Sequence, residues 1–418
     1  MMKKFLLLLL VILPFVSMAQ DQQPAFGIKF SGYVKNDFFF DTHTTVNLRE
    51  GEFYLYPENV KRDKDNVDIN AHSSFNILAI QSRLRGDIFG PDAFGAKTSG
   101  VIEGEFFGTQ DANSNGFRLR HAFVKLSWPT TDIIIGQTWH GMFVEGCFPE
   151  IMAINTGAPF QPFSRNPQIK VVQSLKDFKF MLSLMSQRDF TSWGGSGALR
   201  NSTLPEVNLR IQYQHFNEDK TREIFFGAGA DYKILVPRLV TDSNYATNSN
   251  MSNYAFMAFF KYRCKSITLK LEGTYGQNLY DQVMIGGYAY KYTTDSTTIA
   301  RGDFSYTPIN TLAAWADIAT NGSKFQFGIF GGYTKNLGSY SNILNWTSES
   351  SFFSRGQNID YVYRISPRVV FISGKVKMGI EGDYTVAGYG SSVNSLGEVQ
   401  NVKPVSNIRL MYSVFYYF

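Results

Sequence analysis

The chain has 418 residues, with 40 Lys or Arg against 35 Asp or Glu, and its formal net charge of +5 is too mild for a nucleic-acid footprint. Two cysteines exclude a disulfide scaffold, and aromatics at 16% exceed what a soluble core needs and suit girdles at a membrane interface. The length alone suggests two or three domains, but no change in composition marks a linker, so a single domain is expected.

Taken in order, Lys3 and Lys4 precede an apolar run from Phe5 to Val16 and then Ser17-Met18-Ala19, the pattern of a secretory signal peptide. Residues 1–19 are set aside on that ground, which lowers the charge to +3, and residues 20–418 are read as an outer-membrane β-barrel. No cysteine follows the cleavage site, so no lipoprotein anchor is expected. No second apolar run approaches the ~20 residues of a membrane helix, and any crossing must be made by strands. Period-two alternation recurs in sixteen segments: 26–40, 73–89, 97–107, 117–128, 131–139, 167–175, 178–187, 207–215, 223–235, 253–263, 266–276, 310–319, 324–334, 359–372, 375–386 and 404–418. Phe178, Phe180, Leu182 and Leu184 form one apolar face, and Tyr254, Phe256, Ala258, Phe260 and Tyr262 another. The last segment places Ile408, Leu410, Tyr412, Val414, Tyr416 and Phe418 on a wholly apolar face, with Arg409 and Ser413 on the reverse. Opposite parity would put Lys and Arg into lipid at ~2–4 kcal/mol each near the midplane, so the frame is fixed. Tight turns at Pro129-Thr130, Lys176-Asp177, Cys264-Lys265, Asn321-Gly322 and Ser373-Gly374 alternate with long polar segments, the asymmetry of periplasmic turns and external loops. Cys147 and Cys264 then fall at opposite ends of the barrel. Bulges are expected at Pro367, which lacks a ladder N–H, and within Phe117 to Trp128, where the apolar parity changes.

Five stretches, I-Q-S-R-L-R-G-D at 80–87, G-V-I-E-G-E-F-F-G at 100–108, F-R-L-R-H-A-F-V-K-L at 117–126, I-I-G-Q-T-W at 134–139 and R-N-P-Q-I-K-V at 165–171, resemble the DcaP-like porins. That resemblance implies a trimeric, sixteen-stranded channel in the outer membrane of a Gram-negative bacterium, passing dicarboxylates and other small anions. Some members carry a coiled coil before the barrel. Here only Gln20 to Ala25 precede the first strand, so a homotrimer is expected to form through wall and loops.

Candidate pore-lining residues are Arg83, Arg85, Glu103, Glu105, Arg118, Arg120, Arg165, Arg364 and Arg409. Arginines on a pore wall concentrate anions and grip carboxylates in a bidentate fork. Arg83 and Arg85 with Glu103, Glu105 and Arg118 or Arg120 also read as a cross-strand ion ladder, and both readings stand, since a ladder can leave its end arginines free. Competition of Glu381 and Asp383 for Arg409 is expected from their neighbouring strand. The segment 140–166 carries Met142, Phe143, Phe148, Met152, Phe160 and Phe163, too much apolar surface to hang in water; it folds inward to narrow the bore, or packs on the rim or a neighbouring subunit. Phe418 is expected to be read by the barrel-insertion machinery, besides serving the aromatic girdle.

Other patterns are weaker. Asp111, Asn113, Asn115 and Gly116 imitate a calcium loop, but Ala122 stands where the bidentate Glu belongs. The histidines lack zinc spacing, and neither metal nor cofactor is expected. Tyr280, Tyr288, Tyr290, Tyr292 and Tyr306 suit sugar stacking or a self-packed external loop. No nucleophile elbow or converging triad suggests an enzyme. The expected function is a passive porin for small hydrophilic solutes, anions such as dicarboxylates above all, with outer-membrane lipid as surroundings; the alternative is a non-conducting surface receptor or adhesin with an occluded barrel.

Overall fold

The computed structural model describes residues 26–344 and 351–418; the signal-peptide assignment lies outside the described residues. Sixteen staves close on themselves. They are β1 (Gly27–Asp41), β2 in two pieces (Ser74–Leu78 and Arg83–Phe89), β3 (Lys97–Glu105), β4 (Arg118–Ser127), β5 (Thr131–Trp139), β6 (Arg165–Leu175), β7 (Phe178–Met185) and β8 (Glu206–Phe216). The second half comprises β9 (Glu223–Leu235), β10 (Met251–Arg263), β11 (Ile267–Gln277), β12 (Asn310–Thr320), β13 (Phe325–Asn336), β14 (Ile359–Ser373), β15 (Val376–Tyr389) and β16 (Lys403–Tyr417). Each stave pairs antiparallel with its sequence neighbour, and β1 with β16 completes the ring from Tyr33↔Tyr417 to Asp41↔Arg409. No described helix is long and apolar enough to cross a membrane.

The two-residue period sorts side chains between lipid and bore. On β16, Ile408, Leu410, Tyr412 and Tyr416 are exposed on the outside, while Asn407, Arg409, Met411 and Ser413 are sealed within. The same holds for Phe325, Phe327, Ile329 and Tyr333 on β13. Turns are tight at one end, with Lys176 and Gly374 in the left-handed region at φ 53° and 57°, and all the long loops lie at the other.

Three departures concern register, one of them a shift between Ile359 and Tyr361 where β14 begins. The bulge in β4 is present: Glu103 pairs His121 and Gly104 pairs Leu119, so Arg120 is the extra residue, and Arg120 and His121 both turn inward. The bulge expected at Pro367 is absent. Ile365↔Tyr384 and Arg368↔Glu381 keep one register, and the proline, facing outward, costs the ladder a bond without shifting it. A bulge the alternation did not disclose splits β2. Asp37 pairs Leu78 but Tyr33 pairs Arg83, so an extra residue lies between and the outward parity passes from Phe75 and Ile77 to Leu84. The Lys35 N–H freed there donates to Ser82 Oγ at 3.0 Å.

Two long loops fill the bore towards the long-loop end. Residues 140–164 turn inward, burying Met142, Phe143, Met152, Phe160 and Phe163. The wall is cut to receive them: a Cβ at Gly332 would strike the Phe160 ring, and one at Gly379 the Met152 thioether. The first long loop also enters, as a hairpin of Thr45–Leu48 and Phe53–Pro57 with Phe53, Tyr54, Leu55 and Tyr56 buried. Together with Leu279 to Ile285 of a third loop they form one apolar cluster that reaches Phe225 and Phe259 on one side and Tyr389 and Val405 on the other. Each such side chain contributes about 1.5–3 kcal/mol by leaving water, set against about 1–2 kcal/mol per residue for ordering the loop backbone.

The cysteines are not at opposite ends of the barrel, because the inward loop carries Cys147 down to the carbonyls of Phe260 and Leu271, in the hairpin that turns at Cys264. Both thiols are free, and burial pushes that of Cys147 up to about 12.

Candidate pore chamber and its arginine ladder

Register builds the ladder. Arg83 faces Glu105 and Arg85 faces Glu103 across β2 and β3, while Glu105 faces Arg118 and Glu103 faces His121 across β3 and β4. The β4 bulge then brings Arg120 over both carboxylates, 2.7 Å from Glu103 and 2.8 Å from Glu105. Arg118 reaches Glu105 at 2.7 Å, and Arg83 reaches it at 3.1 Å. Arg165, opposite Trp139 on β5, holds Asp189 from the next long loop at 2.7 Å and lies 4.9 Å from the Trp139 ring. Five guanidiniums thus meet four carboxylates, since Arg85 also binds Asp87 at 2.8 Å. All candidate ladder members come together.

They do not share one exposure. The Arg83 and Arg85 side chains are 20% and 36% accessible, whereas those of Arg118, Arg120 and Arg165 are 6% or less. The two accessible arginines open on a cavity of about 570 Å³ near the short-turn end, lined also by Lys377, Glu145, Trp139 and Phe143. Trp139 and Phe143 are stacked at 3.8 Å and form an apolar flank to the charged side. In this chamber the charged side chains of Arg83 and Arg85 meet solvent.

Arg364 and Arg409 require a correction. Both point into the bore, as parity demands, but neither bounds open water. Arg364 donates to Leu55 O at 2.6 Å and Thr385 Oγ1 at 2.8 Å. Arg409 takes Asp41, its cross-strand neighbour, in a bidentate fork at 2.9 and 2.7 Å and donates to Gly51 O at 2.8 Å. Its ion-pair partner is therefore Asp41 and not Glu381 or Asp383. These arginines carry the inward hairpin, a role hidden in the sequence because the hairpin's destination was.

A second polar cluster joins residues far apart in sequence. His140, Glu206 and Asp231 lie together at the long-loop end, with Nε2 3.3 Å from Glu206 and 3.6 Å from Asp231. The Met142 N–H donates to His140 Nδ1 at 3.1 Å, so the ring proton sits on Nε2 and points at the carboxylates. Lys233 already occupies the space between Glu206 and Asp281. The ring has no lone pair free for a metal, and the cluster ties loop to wall. The calcium-like stretch is a turn in which Asp111 Oδ1 accepts the Arg49 N–H at 2.6 Å. Of the tyrosines, 288, 290 and 306 are buried against one another in a small external sheet, and only Tyr292 is widely exposed.

Neither a family model nor a curated protein matches the chain. Among solved structures, the outer membrane channel DcaP of Acinetobacter baumannii superposes with a TM-score of 0.67 at 13% identity, covering 95% of this chain and 99% of that one. The anion-selective porin from Comamonas acidovorans gives 0.53 at 10% identity, over 94% and 100%. The trimer form of OmpT from Vibrio cholerae gives 0.50, also at 10%, over 94% and 100%. The chain therefore shares the fold of the outer-membrane porins.

Proposed function

We propose that this chain is a porin of the Gram-negative outer membrane, admitting small hydrophilic solutes by passive diffusion. The observation that carries the reading is a closed sixteen-stave barrel, apolar outside, whose bore holds a solvent-facing chamber edged by Arg83 and Arg85. Barrels of this strand number enclose an aqueous space, and no part of the chamber joins a nucleophile to a base and an orienter. The long loops then face outward from the cell and the tight turns the periplasm.

A weak preference for anions, small dicarboxylates included, is part of the proposal. The ladder carries one guanidinium more than it has carboxylates, and two of the three guanidiniums that line the chamber, Arg83 and Arg85, are its least buried. At the reduced effective dielectric of a narrow bore, such an excess biases permeation more than it would in bulk water. The solved porin from Comamonas acidovorans is described as anion-selective, which supports the anion preference proposed here, and OmpT from Vibrio cholerae is described in a trimer form, which supports a homotrimer.

The packing of the bore favours a second reading, a surface receptor whose barrel does not conduct. Planar-bilayer recording separates the two. The porin reading predicts discrete current steps and a reversal potential on the anion side in a salt gradient. Changing Arg83 and Arg85 together to Ala should move that potential towards cations, more so at low ionic strength. A cation-selective wild type, or an unmoved potential in the double variant, would leave the arginines as rungs of a structural ladder alone.

A further inference from the structure

The hairpin of the first long loop is seated by four side-chain donors, each aimed at one of its backbone carbonyls. Arg409 binds Gly51 O at 2.8 Å, Asn155 binds Tyr54 O at 2.6 Å, Arg364 binds Leu55 O at 2.6 Å and the Tyr389 hydroxyl binds Pro57 O at 2.7 Å. Arg364 and Arg409 also flank the Tyr54 ring, each 4.5 Å from its centre. Nothing in this seat answers the hairpin's own acid. Glu52 is 1% accessible, and neither carboxylate oxygen has a hydrogen-bond partner.

Its surroundings are already committed. Asp37 of β1 lies against it and is itself ion-paired with Lys35 at 3.0 Å and bonded by the Ser413 hydroxyl. The three Lys35 ammonium donors go to Asp37, Gln81 and Met152 O. Arg409 is spent on Asp41 and Gly51, Glu381 of β15 accepts the Met152 N–H at 3.0 Å, and Asp383 beside it takes the Ser366 hydroxyl. An ionised Glu52 would be a buried charge without a donor, next to another carboxylate; as the neutral acid it has a proton to give to Asp37.

We propose that the hairpin is a proton-linked stopper of the bore, seated while Glu52 carries a proton and released when Glu52 ionises beside Asp37. This rests on the porin reading only for its electrical consequence. Burial and then the Asp37 carboxylate raise the Glu52 carboxyl in the seated state. A group raised in one state favours that state below its free value, and the advantage is lost as pH climbs through the raised value. The seated form therefore belongs to low pH and the released form to high pH.

The test uses the full chain, with Glu52→Gln as the variant that cannot ionise and a heat-modifiable gel shift as the check that its barrel is closed. Wild-type conductance in planar bilayers should rise several-fold between pH 5 and 9, while the variant stays at the low level throughout. A wild-type conductance that is flat or falls with pH, or a variant that follows the wild-type curve, overturns the stopper. Silence at every pH would sink the channel reading instead, and the hairpin is then read directly by trypsin. Arg49, buried when the hairpin is seated, should be cut in the wild type at pH 9 and spared in Glu52→Gln, with exposed Lys61 as the internal standard. Equal cleavage after Arg49 in the two proteins overturns the proposal.

Discussion

Ion pairs of the same composition serve different ends within this wall, and burial decides which. Glu105 is fully buried and gathers Arg83, Arg118 and Arg120, so removing its charge takes a partner from three guanidiniums, two of which, Arg118 and Arg120, are themselves sealed from water. Breaking such a pair from one side costs about 3–5 kcal/mol, whereas a pair as open as that of Arg85 and Asp87 is worth about 1 kcal/mol or less. Glu105→Gln should therefore lower the temperature of the heat-modifiable gel transition well below that of Arg85→Ala. Equal transition temperatures would mean that the inner rungs are as dispensable as the outer one. Phe418 is a residue of another kind. Its N–H bonds Gly32 O at 3.2 Å, and its ring is half exposed at the lipid-facing seam where the barrel closes. Deleting it should reduce the amount of folded protein in the outer membrane without changing conductance per channel; unchanged insertion in the deletion would remove its role as an assembly signal.

At the scale of elements, the strands were legible because parity and lipid say the same thing. Ile408, Leu410 and Tyr412 have no alternative face once Arg409 must avoid hydrocarbon. The split of β2 was not legible, since Gln81 and Ser82 supply no apolar residue whose parity could report the extra position. The inward course of 140–164 was foreshadowed by Phe143, Phe160 and Phe163. The first loop carried the same signal in Phe53-Tyr54-Leu55-Tyr56, but the charges surrounding it, from Glu58 to Asp68, disguised a four-residue apolar run as part of a polar loop. Applying the parity rule to β1 would have placed Lys35, Asp37 and Asp41 in the bore and exposed the seat of the hairpin. The hydrogen bond from Asn155 to Tyr54 O shows that the two loops hold each other, so their contributions to closing the bore are not independent.

For the molecule as a whole, a closed wall of sixteen staves encloses loops packed like a protein core. The chamber near the short-turn end and the apolar cluster above it divide the bore into a solvent-facing part and a filled part. Those two halves describe a porin in its stoppered state if the loops alone do the filling. The most direct measurement is the single-channel conductance of a variant in which residues 45–57 and 142–160 are both replaced by short polar linkers, compared with the wild type. Current steps several-fold larger in the variant, with the barrel still closed by gel shift, are predicted. A closed barrel that passes no current after both loops are gone would contradict the account.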